Sequence, residues 1–401
     1  MGNWNNRSLG DLIFEIKDGG TPNRSNTKYF GGEIPWIVIG DIKDEIHSTS
    51  EYLTEFGLIN CSSKLWDKDD IILSTGATIG IVGITKIKAA TKQGICGIKT
   101  HASLVDNNFL KYWFQLNRWK LLNSSQGSTI KEIRPPALIK LKIDLPEDKS
   151  EQTRIAEILS TADKAMAHTE ALIAKYQRIK TGLMQDLLTK GIDEHGNIRS
   201  KVTHKFVVKN GIEVPEEWDV DSLGLYCNLH NNLRKPISAI ERFHMKGSYP
   251  YYGATGIIDF LNEFKVNGKF VLIGEDGDHY LKFEKQDMTH LVEGQFNVSN
   301  HAHILSGKGK CSTEWIHYYY CNRDITYYLT RQGAGRYKLN KATLLKLPIC
   351  VPEPTEQERI VSAIVLSNKN VTNELHTLSK LKSLKTGLMQ DLLSGKMRVN
   401  I

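Results

Sequence analysis

The stretch Lys180 to Leu188, KTGLMQDLL, returns unchanged as Lys385 to Leu393. The run leading into each copy is repeated too, EQTRI from Glu151 and EQERI from Glu356, and both pairs lie 205 residues apart. An equal offset means that no residue has been gained or lost across either segment. A continuous helix demands that, since one inserted residue would rotate everything beyond it by about 100°. Apolar residues from Glu151 fall at Ile155, Ile158/Leu159, Ala162, Ala165/Met166, Leu172/Ile173, Tyr176, Ile179 and Leu183. The later copy carries Ile360, Ile364, Val371, Leu375, Leu378, Leu381, Leu384 and Leu388. This three-four spacing is that of a coiled-coil seam, so the two helices are expected to find each other. At about 1.5 Å per residue each is roughly 55 to 60 Å long, a spacer as well as a clamp.

What precedes each helix repeats in order. WNNRSLGDL from Trp4 is matched by WDVDSLG from Trp218, the aromatic run FLKYWFQLNRWKLL from Phe109 by WIHYYY from Trp315, and Gln126 to Leu141 by Gln332 to Leu347. Strands are expected at Pro35 to Gly40, Ile71 to Ser74 and Ile79 to Ile84, with Gly19 to Gly32 a long polar loop. The reading is a mixed α+β fold: two pseudo-symmetric globular domains separated by two long antiparallel coiled-coil helices. Residues 1–145 form the first domain, 146–190 the central long helix, 191–217 a polar linker, 218–350 the second domain and 351–401 the distal long helix. The helices are alike while the domains differ. That is expected where the helices meet two copies of one partner and the domains meet two different targets.

Composition bounds the function. The 401 residues, 40% hydrophobic, suffice for two or three cored units. There is no secretory leader and no apolar run near 18 residues, so a cytoplasmic chain with no membrane partner is expected. Cys61, Cys96, Cys227, Cys311, Cys321 and Cys350 include no CxxC pair, which argues for reduced thiols. A net charge of +7 leans mildly toward a polyanion. Arg134-Pro135-Pro136-Ala137 lacks the asparagine and the ring with which an adenine methyltransferase holds a flipped base. Gly307-Lys308-Gly309-Lys310-Cys311 lacks phosphate-loop spacing. His301 and His303 could form a metal pair on one strand face, but no third ligand lies at useful spacing, so the metal expectation is none. Asp276-Gly277-Asp278-His279 reads as a tight turn. Gly182 and Gly387, inside the helices, suggest a close helix approach or a partner contact.

The two helical repeats, the WDVDSLG-type openings and the segments QGSTIKEI and QGAGRYKL resemble the specificity (S) subunit of type I restriction-modification enzymes over essentially the whole chain. The resemblance implies that each globular unit is a target recognition domain reading one half of a bipartite DNA sequence. The helices then set the spacing and dock two methyltransferase (M) subunits. It implies no catalytic residue and no cofactor on this chain, with S-adenosylmethionine, ATP and Mg2+ on partner subunits, restriction (R) subunits included. With three residues before Trp4, no counterpart of the N-terminal helical arm of some relatives is expected here.

Loops with basic, amide and hydroxyl groups near glycines suit DNA, because backbone must approach phosphate while amides and guanidinium forks read base edges. The candidates are Thr21, Asn23, Arg24, Asn26, Lys28, Gln126, Ser128, Thr129 and Lys131 in the first domain. In the second they are Tyr251, Tyr252, Thr255, Arg331, Gln332, Arg336, Tyr337 and Lys338. On the helices, Arg154, Ile155, Leu183, Met184, Leu187, Arg359, Ile360, Leu388, Met389 and Leu392 are assigned to the M subunits. Two other readings stand beside this one. One is an enzyme whose acid/base or metal residues the sequence does not reveal. The other is a coiled-coil scaffold that joins proteins without sequence-specific DNA binding.

Overall fold

The structure is a computed structural model that describes residues 4–127, 131–331 and 336–400. Ser128, Thr129 and Gln332, three of the expected DNA contacts, lie outside the described residues. The chain divides into two compact units, Met1–Leu172 with Glu374–Ile401, and Ile173–Asn373. Each long helix is divided between them: the central helix spans Lys149–Leu187 and the distal helix Pro354–Leu392.

In unit 1 a five-stranded sheet runs in the order Ile13–Asp18, Ile95–Thr100, Ile71–Ser74, Val82–Thr85, Glu45–Ile46. A four-stranded sheet runs Glu51–Leu53, Phe30–Ile37, Ala89–Thr91, Leu65–Trp66. The buried strand Ile71–Ser74 shows why a short unbroken apolar run can be a strand. Its period of two sends Ile71 and Leu73 into one core with Phe109, Trp113 and Leu159, while Ile72 enters another with Ile46, Trp66 and Ile95. The expected strand at Pro35 lies at Phe30–Ile37, and that at Ile79 begins at Val82. The aromatic run is two helices, Asn107–Leu116 and Arg118–Asn123, broken at Asn117.

Unit 2 builds one six-stranded sheet instead, in the order Cys227–Leu229, Ala302–Gly307, Val266–Gly274, Thr289–Val298, Lys246–Gly253, Gly256–Leu261. Here Val271 and Ile273 face one core with Trp315 and Ile360, and Leu272 faces another with Phe296 and Ile304. Residues 191–217 carry a hairpin of Phe206–Lys209 and Ile212–Pro215.

Near the long helices the two units share a frame. Trp4–Ser8 pairs antiparallel with Lys142–Pro146, and Asp219–Ser222 with Pro348–Val351. Leu9 N donates to Leu141 O and Leu223 N to Leu347 O, each at 2.8 Å. The repeated glutamines are wholly buried staples. Gln152 Oε1 accepts from Asp106 N and its Nε2 donates to Leu104 and Pro146 carbonyls; Gln357 does the same with Ser312 N and the Lys310 and Pro352 carbonyls. The repeated glutamates are also buried, and each takes an arginine from beyond the end of the other helix, Glu151 from Arg398 and Glu356 from Arg199. After each helix a left-handed glycine, Gly395 or Gly191, turns the chain. An added Cβ would lie 2.9 Å from the Trp4 ring or 2.6 Å from the Trp218 ring.

The helices run in opposite senses. In unit 1, Lys385 pairs with Asp163 and Lys382 with Glu170, so one sequence descends as the other rises. In unit 2, Glu356 near the start of the distal helix accepts from Ile192 N, just past the end of the central helix.

Candidate nucleic-acid interface

In unit 1 three segments gather. Ile133 N donates to Thr75 O, and Gly76 bridges Glu132, which also pairs in both directions with Gln126 at 2.8 and 2.9 Å. Thr75 Oγ1 donates to Asp18, at the start of the polar loop, at 3.4 Å. Burial raises the Asp18 carboxyl, with the neighbouring Glu132 charge adding to it. The loop Thr75–Gly80 is sharply bent: Ala77 has φ 50° and Gly80 has φ 90°.

Unit 2 makes the same junction from different residues. Leu339 N donates to Glu275 O at 2.8 Å, Gly277 N to Tyr337 O at 3.0 Å, and Asp276 bridges Lys338. Behind it lies a polar knot that the sequence reading missed. Arg234 pairs with Glu275 at 2.7 Å, and His303 Nδ1 accepts from Arg234 and Asn231. That leaves the proton on Nε2, which donates to Leu339 O at 2.7 Å. Burial holds His303 below the ordinary histidine range. The repeat gave no signal for this knot, because among the described residues unit 1 has no counterpart of it.

Of the expected contacts, Lys28, Gln126, Lys131, Thr255, Arg331 and Arg336 are exposed. Arg331 lies over the Tyr337 ring at 4.8 Å, and Lys338 approaches Glu275 at 3.9 Å. Thr21 is half-buried, and so is Tyr252, packed edge-on against Phe296. Others are committed to the fold. Asn23 Oδ1 accepts from Ser25 N and Asn26 Oδ1 from Lys28 N, both turn-forming bonds. Arg24 forks onto Glu51 at 2.6 and 3.1 Å and lies over Phe30 and Trp36. Tyr251 is a correction: it is 1% exposed, its hydroxyl donating to Lys235 O and accepting from Ile237 N, so no groove can reach it.

The helix assignments also need correction. Ile155, Met184, Leu187, Ile360, Met389 and Leu392 are buried in the cores of their own units, and Leu183 and Leu388 pack against those cores. Only Arg154 and Arg359 of that set are exposed. The apolar residues left in water are others, Ile179, Leu375 and Leu384 among them. Leu384 lines an open groove of about 850 Å³ in unit 1 with Ile158, Ala162, Ala165 and Leu381, rimmed by Arg154, Glu157 and Lys164. An added Cβ at Gly182 or Gly387 meets nothing within 4 Å, so no close helix approach explains either.

His301 and His303 do not share a ligand position. His301 is exposed and pairs with Asp276 at 2.9 Å while His303 is buried. Among the described residues no group of three or more His, Cys, Asp or Glu could hold a metal ion. None of the described helices is long and apolar enough to cross a membrane.

A family model described as the type I restriction modification DNA specificity domain matches residues 1–178 and again 215–386, once for each copy of the frame. The chain belongs to this family. Its role is therefore DNA specificity, and it is a non-catalytic recognition subunit. Among curated relatives, the type I restriction enzyme MjaIX specificity subunit of Methanocaldococcus jannaschii is 23% identical over 99% of this chain and 94% of its own length. The EcoprrI specificity subunit of Escherichia coli is 22% identical, covering 92% and 89%. The fold of this specificity subunit is similar to the crystal structure of a type I restriction-modification S subunit from M. genitalium. The TM-score is 0.63 at 17% identity, over 98% of this chain and 96% of that one.

Proposed function

We propose that each unit of this specificity subunit reads one half of a bipartite double-stranded DNA site, and that its long helices dock two methyltransferase subunits. The observation that carries the reading is the repeated frame with unlike reading ends. The staples, glutamate–arginine pairs and glycine turns recur, while Thr75–Gly80 in one unit stands where Glu275–Tyr280 stands in the other. A recurring frame suits two copies of one partner, and divergent loops suit two different sequences. The groove along Ala165, Leu381 and Leu384 and the open glycines Gly182 and Gly387 offer surface for the M subunits. S-adenosylmethionine is then held by those subunits, ATP and Mg2+ by partners that include the R subunits, and the complex works in the cytoplasm.

The test is to co-express the chain with the methyltransferase subunit encoded beside it and map N6-methyladenine across the genome. A split motif with a fixed unspecified gap, present only with this chain, is the expected outcome. A motif that is the same without the chain sinks the reading in favour of the scaffold.

A further inference from the structure

The polar knot of unit 2 joins four stretches of chain that lie far apart in sequence. Arg234 donates through Nη1 to Glu275 Oε2 at 2.7 Å and to Asn300 O at 3.2 Å, and through Nη2 to His303 Nδ1 at 2.6 Å. His303 Nε2 carries the link on to Leu339 O. The Arg234 backbone is tied down as well, its carbonyl accepting from Lys265 Nζ at 3.0 Å. The side chains of Arg234, Glu275 and His303 are 14%, 20% and 1% exposed, so the knot lies beneath the surface rather than on it.

The exposed groups of the junction are mounted on its ends. Asp276 follows Glu275 and pairs with His301, two residues before His303, at 2.9 Å. Lys338 precedes Leu339, bridges Asp276 and stands 3.9 Å from Glu275. Arg331 pairs with Tyr337 across the same hairpin. A shift in the knot therefore moves all of these together. Closing the junction does not demand such a knot. In unit 1 the corresponding junction closes on backbone bonds and on the Asp18 carboxyl, to which Thr75 and Cys96 donate, and among the described residues no cation pairs with that carboxyl. A buried ion pair also contributes little to stability against apolar side chains of the same shape. What a guanidinium fork adds is one fixed arrangement of its partners.

We propose that Arg234 is a positioning residue for DNA specificity: through Glu275 and His303 it fixes where Asp276, Lys338 and the Arg331–Tyr337 pair stand, and so sets which bases unit 2 accepts in its half-site. This rests on the DNA-reading assignment above. Arg234 itself touches no DNA.

The test uses the chain in complex with its methyltransferase subunits, binding a duplex that bears the mapped split motif, the same duplex with single base-pair changes in each half, and a scrambled duplex. Arg234→Lys keeps the charge but has one tip where the fork serves three partners. Arg234→Met combined with Glu275→Gln removes both charges and leaves neither stranded. Both variants are expected to lose about tenfold or more of the discrimination at one or more positions, confined to one half of the motif, with hydrogen exchange in the unit 2 sheet as in wild type. Unchanged discrimination overturns the proposal, as does a loss spread over both halves. Faster exchange throughout the sheet of the double variant overturns it too, because the knot would then be structural. A slope of log affinity against log salt reduced by about one in the double variant would make Arg234 a phosphate contact, which again overturns positioning. If the wild-type complex does not prefer the motif duplex over the scrambled one, the DNA-reading assignment itself fails.

Discussion

At the helix ends the two units differ in how tightly the same node is sealed. Glu356 and Arg199 have side chains 11% and 10% exposed, and the Trp218 indole N–H and Ile192 N also point at Glu356. In unit 1 Glu151 is buried more deeply still, but Arg398 is 30% exposed; each node also leaves one buried nitrogen without a partner, the Trp4 indole in unit 1 and Arg199 Nε in unit 2. The same residue types in the same order thus make a closed node in unit 2 and a half-open one in unit 1. A buried charge is costly only when its partner is taken away and water cannot replace it. Accessibility of the arginine, not its presence, separates the two.

The largest effect expected from that difference is at Glu356. Glu356→Ala strands Arg199 and two N–H donors and is expected to cost about 3–5 kcal/mol, seen as faster hydrogen exchange throughout the unit 2 sheet. Glu151→Ala should leave exchange in that sheet unchanged and should loosen unit 1 by less, because part of the Arg398 side chain already reaches water. Equal losses in the two units would break the comparison.

Acid should separate the units next. Burial holds the His317 imidazole down at about 4, and it also lowers His279, His290 and His303, all in unit 2. These rings are neutral in the fold, whereas the unfolded chain takes up protons near pH 6.5. Stability is therefore full above 6.5 and falls as the pH drops toward 4, by about 3 kcal/mol from His317 alone. In unit 1 burial raises Asp18 and Asp70, which works the other way, with stability gained as acid protonates them. Unit-resolved hydrogen exchange between pH 7 and 5 should show unit 2 loosening first, and His317→Asn should flatten that slope. Parallel loss in both units would contradict this.

The smallest effect sharpens the comparison at the helix pair. In unit 1 the Tyr112 hydroxyl donates to Asp163 at 2.7 Å and Lys385 pairs with the same carboxylate. The repeat places Tyr318, Asn368 and Lys180 at those positions in unit 2, where Asn368 bonds to Tyr318 but carries no charge. Asp163→Asn should cost unit 1 about 1 kcal/mol or less, and Asn368→Asp should be neutral or slightly stabilising in unit 2. Chemical denaturation at low and high salt would read both, and a large salt-independent loss would mean that packing rather than charge distinguishes the pair.

Much of the frame was legible because helix geometry and duplication leave marks that survive without tertiary information. Equal offsets of 205 residues required unbroken helices, and the helices Lys149–Leu187 and Pro354–Leu392 are those segments. The doubled EQ, the opening tryptophans and the glycine after each KTGLMQDLL all belong to one repeated node. The candidate interface was less legible. A polar loop exposes its composition in the sequence but not its hydrogen bonds, so Asn23, Asn26 and Arg24 looked available and are committed to turns and to Glu51. Tyr251 looked like a loop residue and is core.

By itself the sequence determined that the chain is a duplication, that each half ends in a helix of about forty residues, and which residue types recur at the junctions, because periodicity and register are properties of the chain alone. Only tertiary structure decided which face of each helix remains open. Ile155, Leu187, Ile360 and Leu392 were expected to face the methyltransferase subunits but are buried in the cores of their own units, leaving Ile179, Leu375 and Leu384 in water. It also decided that Arg199 and Arg398, far from the glutamates in sequence, would meet them. Burial and charge pairing depend on which surfaces come together, and no local pattern carries that information.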